Sequence, residues 1–301
     1  MNNIDSDSVR AIDASPTKPF AVPETAGQKA AALKTRLARI LSAPAARAVE
    51  EDRGPTHFSF GVNRIDAALR GNAVADGLPR AALHEIHAAE QTDGTSAAAM
   101  ALLLAERCRD DKPILWINEQ AEARRQGRLY PPGIAELGID PDSIIYVNAP
   151  DSIAVLRAAA DGVRSPAIGA VIVDLAGKKP KGLDLTATRR LSLSAKQSGV
   201  TSLLLRSGSD MEDPLPTAAF SRWQVNAAPS APLEANAPGH STFDITLLRH
   251  RSGLYGLSAR LEWNHDDHAF RERQAGETAP DLGAVPALAA DRADHQGARA
   301  A

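Results

Sequence analysis

The sequence predicts an α/β fold: a doubly wound, mostly parallel sheet, helices on both faces, and a late antiparallel hairpin at its edge. Three observations predict it. The runs PILWIN, IGAVIVDL and VTSLLLRS are apolar throughout, which marks strands buried on both faces. Segments with helical spacing of apolar residues separate them, the alternation that builds a parallel sheet. Near the end, FDITLLRHR and YGLSARLEW flank Ser252-Gly253, the turn chemistry of a hairpin.

The elements follow in order. HFSFGV is a short strand and NRIDAAL a short helix, with Asn63 as its N-cap. GLPRAALHEIHA is a turn and a strand. TSAAAMALLLAERCRD is a helix apolar on nearly all sides, hence buried. After PILWIN come the short helix GIAELGI, the strand SIIYVNA and the amphipathic helix SIAVLRAAADGVR. IGAVIVDL is a buried strand, ATRRLSLSAKQSG a helix, and VTSLLLRS a further strand. Around this core, residues 1–25 are expected to be disordered, 26–56 to form a surface helix and linker, 57–263 the core domain, and 264–301 a disordered tail.

Composition narrows the class. Of 301 residues, 44% are hydrophobic and 24% charged, which fits a globular protein able to bury a core. Aromatics reach only 4%, so Ala, Leu, Ile and Val must fill it. The net charge of −3 demands no nucleic-acid or membrane partner. Cys108 is the single cysteine, which excludes an internal disulfide and argues against a cysteine zinc site; it reads as a small core residue. No apolar run is long enough to span a bilayer and no secretory signal is visible, so a cytoplasmic location is expected.

EIHAAEQTDGTSAAAMALLLAERC has the outline of a phosphate-binding loop: a strand, a glycine turn and a helix. Such a loop needs G-x-x-x-x-G-K-[ST]. Its backbone N–H groups and helix N-terminus hold phosphate, its lysine reaches the terminal oxygens, and its hydroxyl binds magnesium. In the window Ala89–Ser96 the second glycine (Gly94) and the hydroxyl (Ser96) remain. Ala89 replaces the first glycine, Thr95 replaces the lysine, and Asp93 adds negative charge where phosphate oxygens would lie. Downstream, AVIVDL ends at Asp174, the place of a magnesium-coordinating Walker-B aspartate. Losing one charge-assisted contact costs roughly 1.5–3 kcal/mol, and phosphoryl transfer suffers more than binding. The turn reads as architecture, with no catalytic residue, no required cofactor and no metal; weak ATP–magnesium binding stays open.

FSFGVNRIDAALRGNAVADGLPRAALHEIHAAEQTDGTSAAAMALLLA resembles the start of the RecA ATPase core through Gly61, Ile65, Asp66, Leu69, Gly77, Leu78, Pro79, Glu85 and Ile86. It departs at Ala81, where that family's turn has glycine. ILWI, LYPPGIAELGIDPDSIIYV, AVIVDL and FDITLLRHRSGLYGLSARLEW are similar to the ImuA family of bacterial SOS mutagenesis cassettes. The resemblance covers roughly residues 57–263 and implies a RecA-like fold. It also implies an accessory role in translesion synthesis beside ImuB, a Y-family polymerase homologue. RecA, an error-prone replicative-type polymerase and single-stranded DNA are further candidate partners. Two alternatives stay open: a DNA-stimulated ATPase with a degenerate loop, and a cell-division-inhibitor-like SOS protein.

Other residues are weighed on their own. Lys178, Lys179 and Lys181 follow Asp174, with Arg189 and Arg190 on the next helix and Arg206 at a strand end. They are candidate DNA contacts, of the kind that bind phosphates with strong salt dependence. No aromatic is interleaved to stack bases, and a solvated face is the plainer reading. HDDH (265–268) has no cysteine partner for a metal. His84 and His87 face opposite sides of their strand and read as core or surface histidines. Ser192 and Ser194 lack a nucleophile's partners. Glu119 reads as a charged strand-end residue.

Overall fold

The computed structural model describes residues 56–70, 75–209, 214–233, 237 and 239–273. The expected disordered segment 1–25, nearly all of the 26–56 helix and linker, and residues 274–301 of the expected tail lie outside the described residues.

The chain enters through β1 (His57–Phe58), turns into α1 (Asn63–Arg70), and returns through β2 (Leu78–Pro79), antiparallel to β1. Asp66 fixes this entrance. Its buried carboxylate accepts the backbone N–H groups of Phe60 (2.8 Å), Gly61 (3.1 Å) and Val62 (3.2 Å). Gly77 has φ +89°, and a Cβ there would meet the Phe58 carbonyl, so this turn requires glycine.

The main run is β3 (Leu83–Ala88), α2 (Gly94–Cys108), β4 (Ile114–Glu119), α3 (Gln120–Gln126), α4 (Pro131–Glu136), β5 (Ile144–Ala149), α5 (Ser152–Val163), β6 (Ala170–Asp174), α6 (Leu185–Ser198) and β7 (Thr201–Arg206). Then come β8 (Ser221–Ala227), β9 (Thr242–His250), β10 (Ser258–Asn264) and β11 (Ala269–Arg273). The nine-stranded sheet has the order β11-β10-β9-β8-β3-β7-β6-β4-β5. The stretch from β8 to β5 is parallel; β9, β10 and β11 add antiparallel pairs at one side. This is the expected doubly wound, mostly parallel arrangement.

Alternation along each strand assigns side chains to the two faces. Ile86, Ile114, Trp116, Ile172, Leu203 and Leu205 share one core with α2. The intervening Leu115 and Val171 meet α5 on the other face, where Gly162 lets that helix approach Leu115. Burying each large aliphatic side chain contributes roughly 1.5–3 kcal/mol. Cys108 is buried within the α2 core, and burial pushes its thiol up to about 12, so it packs as a small apolar residue.

Three features depart from the sequence reading. SRWQV lies in β8, a parallel neighbour of β3 that buries Trp223; its mixed polar pattern hides a strand whose Ser221 and Arg222 are buried along with Trp223 and Val225. Residues 264–273, expected within the tail, form strand and turn instead. Asn264 ends β10, and Ala269–Arg273 pairs with it through Trp263↔Phe270. Phe270 is fully buried against Trp263 at 4.9 Å between ring centroids. The hairpin between β9 and β10 is also wider than Ser252-Gly253 alone. It closes at Leu247, which pairs with Leu257 and Gly256, while β9 runs on to His250 along β8.

Candidate functional site at the carboxyl edge of the sheet

The turn between β3 and α2 is shut by its own side chain. Asp93 is 8% exposed. One carboxylate oxygen accepts the Glu90 N–H at 3.1 Å, and the other accepts the Ala227 N–H at the end of β8, at 2.9 Å. Ala89 donates its N–H to the Val225 carbonyl, Asp93 donates to Glu90, and Gly94 donates to Gln91. A carboxylate of the chain thus sits among donors that a phosphate loop would keep for its ligand. Gly94 adopts ordinary helical angles, φ −54° and ψ −42°. Thr95 is exposed and carries no cation.

Beside this turn, on the α2 face, lies a cavity of about 330 Å³. Gly94 and Thr95 line one wall, Trp116, Asn118 and Asp174 the sheet side, and α3 and α4 the opposite wall. Ser96 is not among its lining residues. Adjacent strands set Asn118 beside Asp174 in register. The Trp116 indole N–H donates to Asp174 at 3.3 Å, and the Asn118 amide donates to the Tyr146 hydroxyl at 2.7 Å. The Asn118 Oδ1, on a side chain only 4% exposed, has no hydrogen-bond partner among the described residues. Burial raises the Asp174 carboxyl to about 6; the Trp116 bond opposes that shift and Glu122 adds to it. The site therefore offers acceptors against aromatic walls. Among the described residues no cluster of three or more His, Cys, Asp or Glu could hold a metal.

On the opposite face of the same edge, Glu85 accepts from Arg222 at 2.6 Å and lies 3.5 Å from the His87 ring. Burial pushes the Glu85 carboxyl up, but His87 and Arg222 outweigh it and hold the carboxyl below its ordinary value. Burial lowers the His87 ring. This cluster was not assigned by sequence reasoning; an E-x-H pattern inside a run of buried residues was its only local trace.

The six candidate DNA contacts do not form one patch. Arg206 is 2% exposed and donates to the carbonyls of Leu175 (3.2 Å), Gly177 (2.8 Å) and Lys178 (3.1 Å). It braces the loop from within, and burial lowers its guanidinium to about 10. Lys178, Lys179 and Lys181 are exposed on that loop, and Arg189 and Arg190 on α6. Arg189 lines a different cleft. His84 and His87 are both buried, hydrogen-bonded to Ser221 and Ser209 respectively. Glu119 precedes α3 and is partly exposed. No helix among the described residues is long and apolar enough to cross a membrane.

Fold and site together define a doubly wound α/β protein with a phosphate-loop-like turn that its own aspartate fills. No protein-family model matches the chain. It is 30% identical over 234 residues to Protein ImuA of Caulobacter vibrioides (strain NA1000 / CB15N), covering 73% of this chain and 90% of the relative. Protein ImuA of strain ATCC 19089 / CIP 103742 / CB 15 matches to the same extent. The crystal structure of the RadB recombinase superposes with a TM-score of 0.48 at 14% identity, over 72% of this chain and all of that one. The chain belongs to the ImuA family.

Proposed function

We propose that this chain is a non-catalytic, RecA-like accessory factor of SOS-induced translesion synthesis, acting by docking on an ImuB-type Y-family polymerase homologue. RecA and the error-prone replicative-type polymerase are further candidate partners. Membership of the ImuA family supports the accessory role. The observation that carries the non-catalytic reading is Asp93, whose carboxylate takes the turn's Glu90 N–H and the neighbouring Ala227 N–H at the end of β8. A triphosphate would have to displace a hydrogen-bonded anion and then bind without the lysine that offsets its charge. A weak DNA contact through Lys178, Lys179 and Lys181 fits their exposure; Arg206 serves the loop's own backbone.

The test is copurification of the full chain with the ImuB-type homologue. Association is expected without nucleotide and unchanged by Asp174→Ala. In parallel, ATP, magnesium and single-stranded DNA should give no hydrolysis. Turnover that disappears in Asp174→Ala would overturn the non-catalytic reading. Absence of association between two folded proteins would overturn the docking reading.

A further inference from the structure

A second cleft, of about 620 Å³, runs between α6 and the Thr217–Phe220 segment that leads into β8. Its cations are Arg80, Arg189, Lys196, Arg249 and Arg251, and among the described residues no aspartate or glutamate lines it. Arg80 is paired with Asp110 at 2.8 Å. Among the described residues Arg249 reaches only the carbonyls of Thr217 and Ala219, and Arg251 only that of Ala218 and the face of Phe220. Arg189 and Lys196 have no partner among the described residues. Among the described residues four cations thus meet no carboxylate, in a chain whose net charge is −3.

The same wall is apolar between its charges. Leu185, Arg189, Leu193 and Lys196 follow one another at i, i+4, i+8 and i+11, a single stripe of α6. Leu185 is 42% and Leu193 55% exposed, two of the five exposed large apolar side chains among the described residues. A phosphodiester backbone makes no use of these leucines, and among the described residues the cleft offers no free aromatic face for bases. Its one aromatic among the described residues, Phe220, lies under the Arg251 guanidinium and against His250 at 4.8 Å. Alternating leucine and cation match an amphipathic helix that carries leucines between carboxylates.

We propose that this cleft is a docking groove for an acidic, leucine-bearing helix of a partner protein. The proposal rests on the docking reading above and supplies a surface for it. The probe is a fluorescein-labelled synthetic helix about four turns long, with leucine and glutamate stripes, titrated against the full chain by anisotropy. Its controls replace leucine by serine or glutamate by glutamine, and a labelled oligothymidine stands for nucleic acid. Binding should weaken with salt. It should fall on the order of tenfold or more in Leu193→Ser and in Arg189→Glu/Lys196→Glu, all at exposed positions, while thermal melting stays unchanged. The proposal is overturned if the acidic helix fails to bind, or if it binds these variants equally well. Preferential binding of oligothymidine that ignores Leu193→Ser also overturns it. If the groove variants still copurify with the ImuB-type homologue, the groove fails as its dock and the docking reading stands. If the helix binds but the homologue does not, the reverse holds.

Discussion

On the α6 face of the sheet's carboxyl edge, Glu85, His87 and Arg222 bury their polar atoms against one another, and Arg206 spends its guanidinium on three carbonyls. On the α2 face, Asp174 keeps one long indole bond and the Asn118 Oδ1 has no partner among the described residues. The first arrangement rigidifies the edge. The second keeps desolvated acceptors beside a cavity, a cost that a packed core would remove. Where the family resemblance places a nucleotide's magnesium ligand, this molecule therefore keeps an under-partnered carboxyl, while the neighbouring turn is sealed by Asp93.

The largest effect should come from breaking the paired face. Glu85→Ala strands Arg222 as a buried charge without its counterion, and this should cost about 3–5 kcal/mol, read from denaturant unfolding. A loss below about 1 kcal/mol would mean that the cluster is solvated in solution and that the contrast between the faces is false.

The under-partnered face predicts the opposite sign. The Asp174 carboxyl titrates near 6 in the folded chain against an ordinary 3.8. Its ionised form therefore destabilises the fold above pH 6, and protonation relieves that as pH falls toward 4. His84 behaves inversely. It is completely buried, and burial lowers its pKa from 6.5 to about 4, so the unfolded chain takes up the proton first and stability drains over the same window. The two slopes oppose each other. At about 1.4 kcal/mol per unit, Asp174→Asn should add roughly 2–3 kcal/mol at pH 7. That gain should vanish by pH 4, leaving the variant with a steeper acid decline than wild type. Equal slopes in both proteins would remove Asp174 from the list of desolvated groups.

Asp93 tests the seal directly. Asp93→Ala leaves the Glu90 and Ala227 N–H groups without their acceptor, and about 2 kcal/mol should be lost. Those freed donors, beside the N-terminus of α2, should then donate to a bound anion. Sulfate should raise the melting temperature of the variant more than that of wild type. Equal responses would mean that the carboxylate does not occupy the anion position.

What was legible in the sequence follows the range of the interactions. PILWIN and AVIVDL announced β4 and β6, because burial on both faces writes itself into every residue. Asp174 at a strand end was readable for the same reason. The role of Asp93 was half readable: its charge spoke against phosphate, but its partner Ala227 stands 134 residues away, and no local pattern encodes that pairing. Arg206 looked like a surface cation because a strand-end arginine carries no mark of the three carbonyls waiting inside the loop. β11 was missed because FRER is mostly polar; a single residue, Phe270, anchors it. The short α3 follows β4 without an apolar face of its own.

The smallest effect concerns the entrance to β3. Ala81 stands where the resembling RecA-type turn has glycine, and it adopts φ +54°. An L-residue in that region carries roughly 1–2 kcal/mol of strain, whereas glycine adopts it freely at an entropic cost of roughly 0.5–1 kcal/mol. The turn thus has left-handed geometry at a residue type poorly suited to it. Ala81→Gly should stabilise the chain by about 0.5–1 kcal/mol, measured as a higher denaturant midpoint at unchanged slope. A destabilised variant would mean that the Ala81 side chain contributes packing beyond its backbone strain. Ala81 also lines the basic cleft, so the same variant shows whether that groove depends on a strained rim: peptide affinity unchanged while stability rises would separate the two.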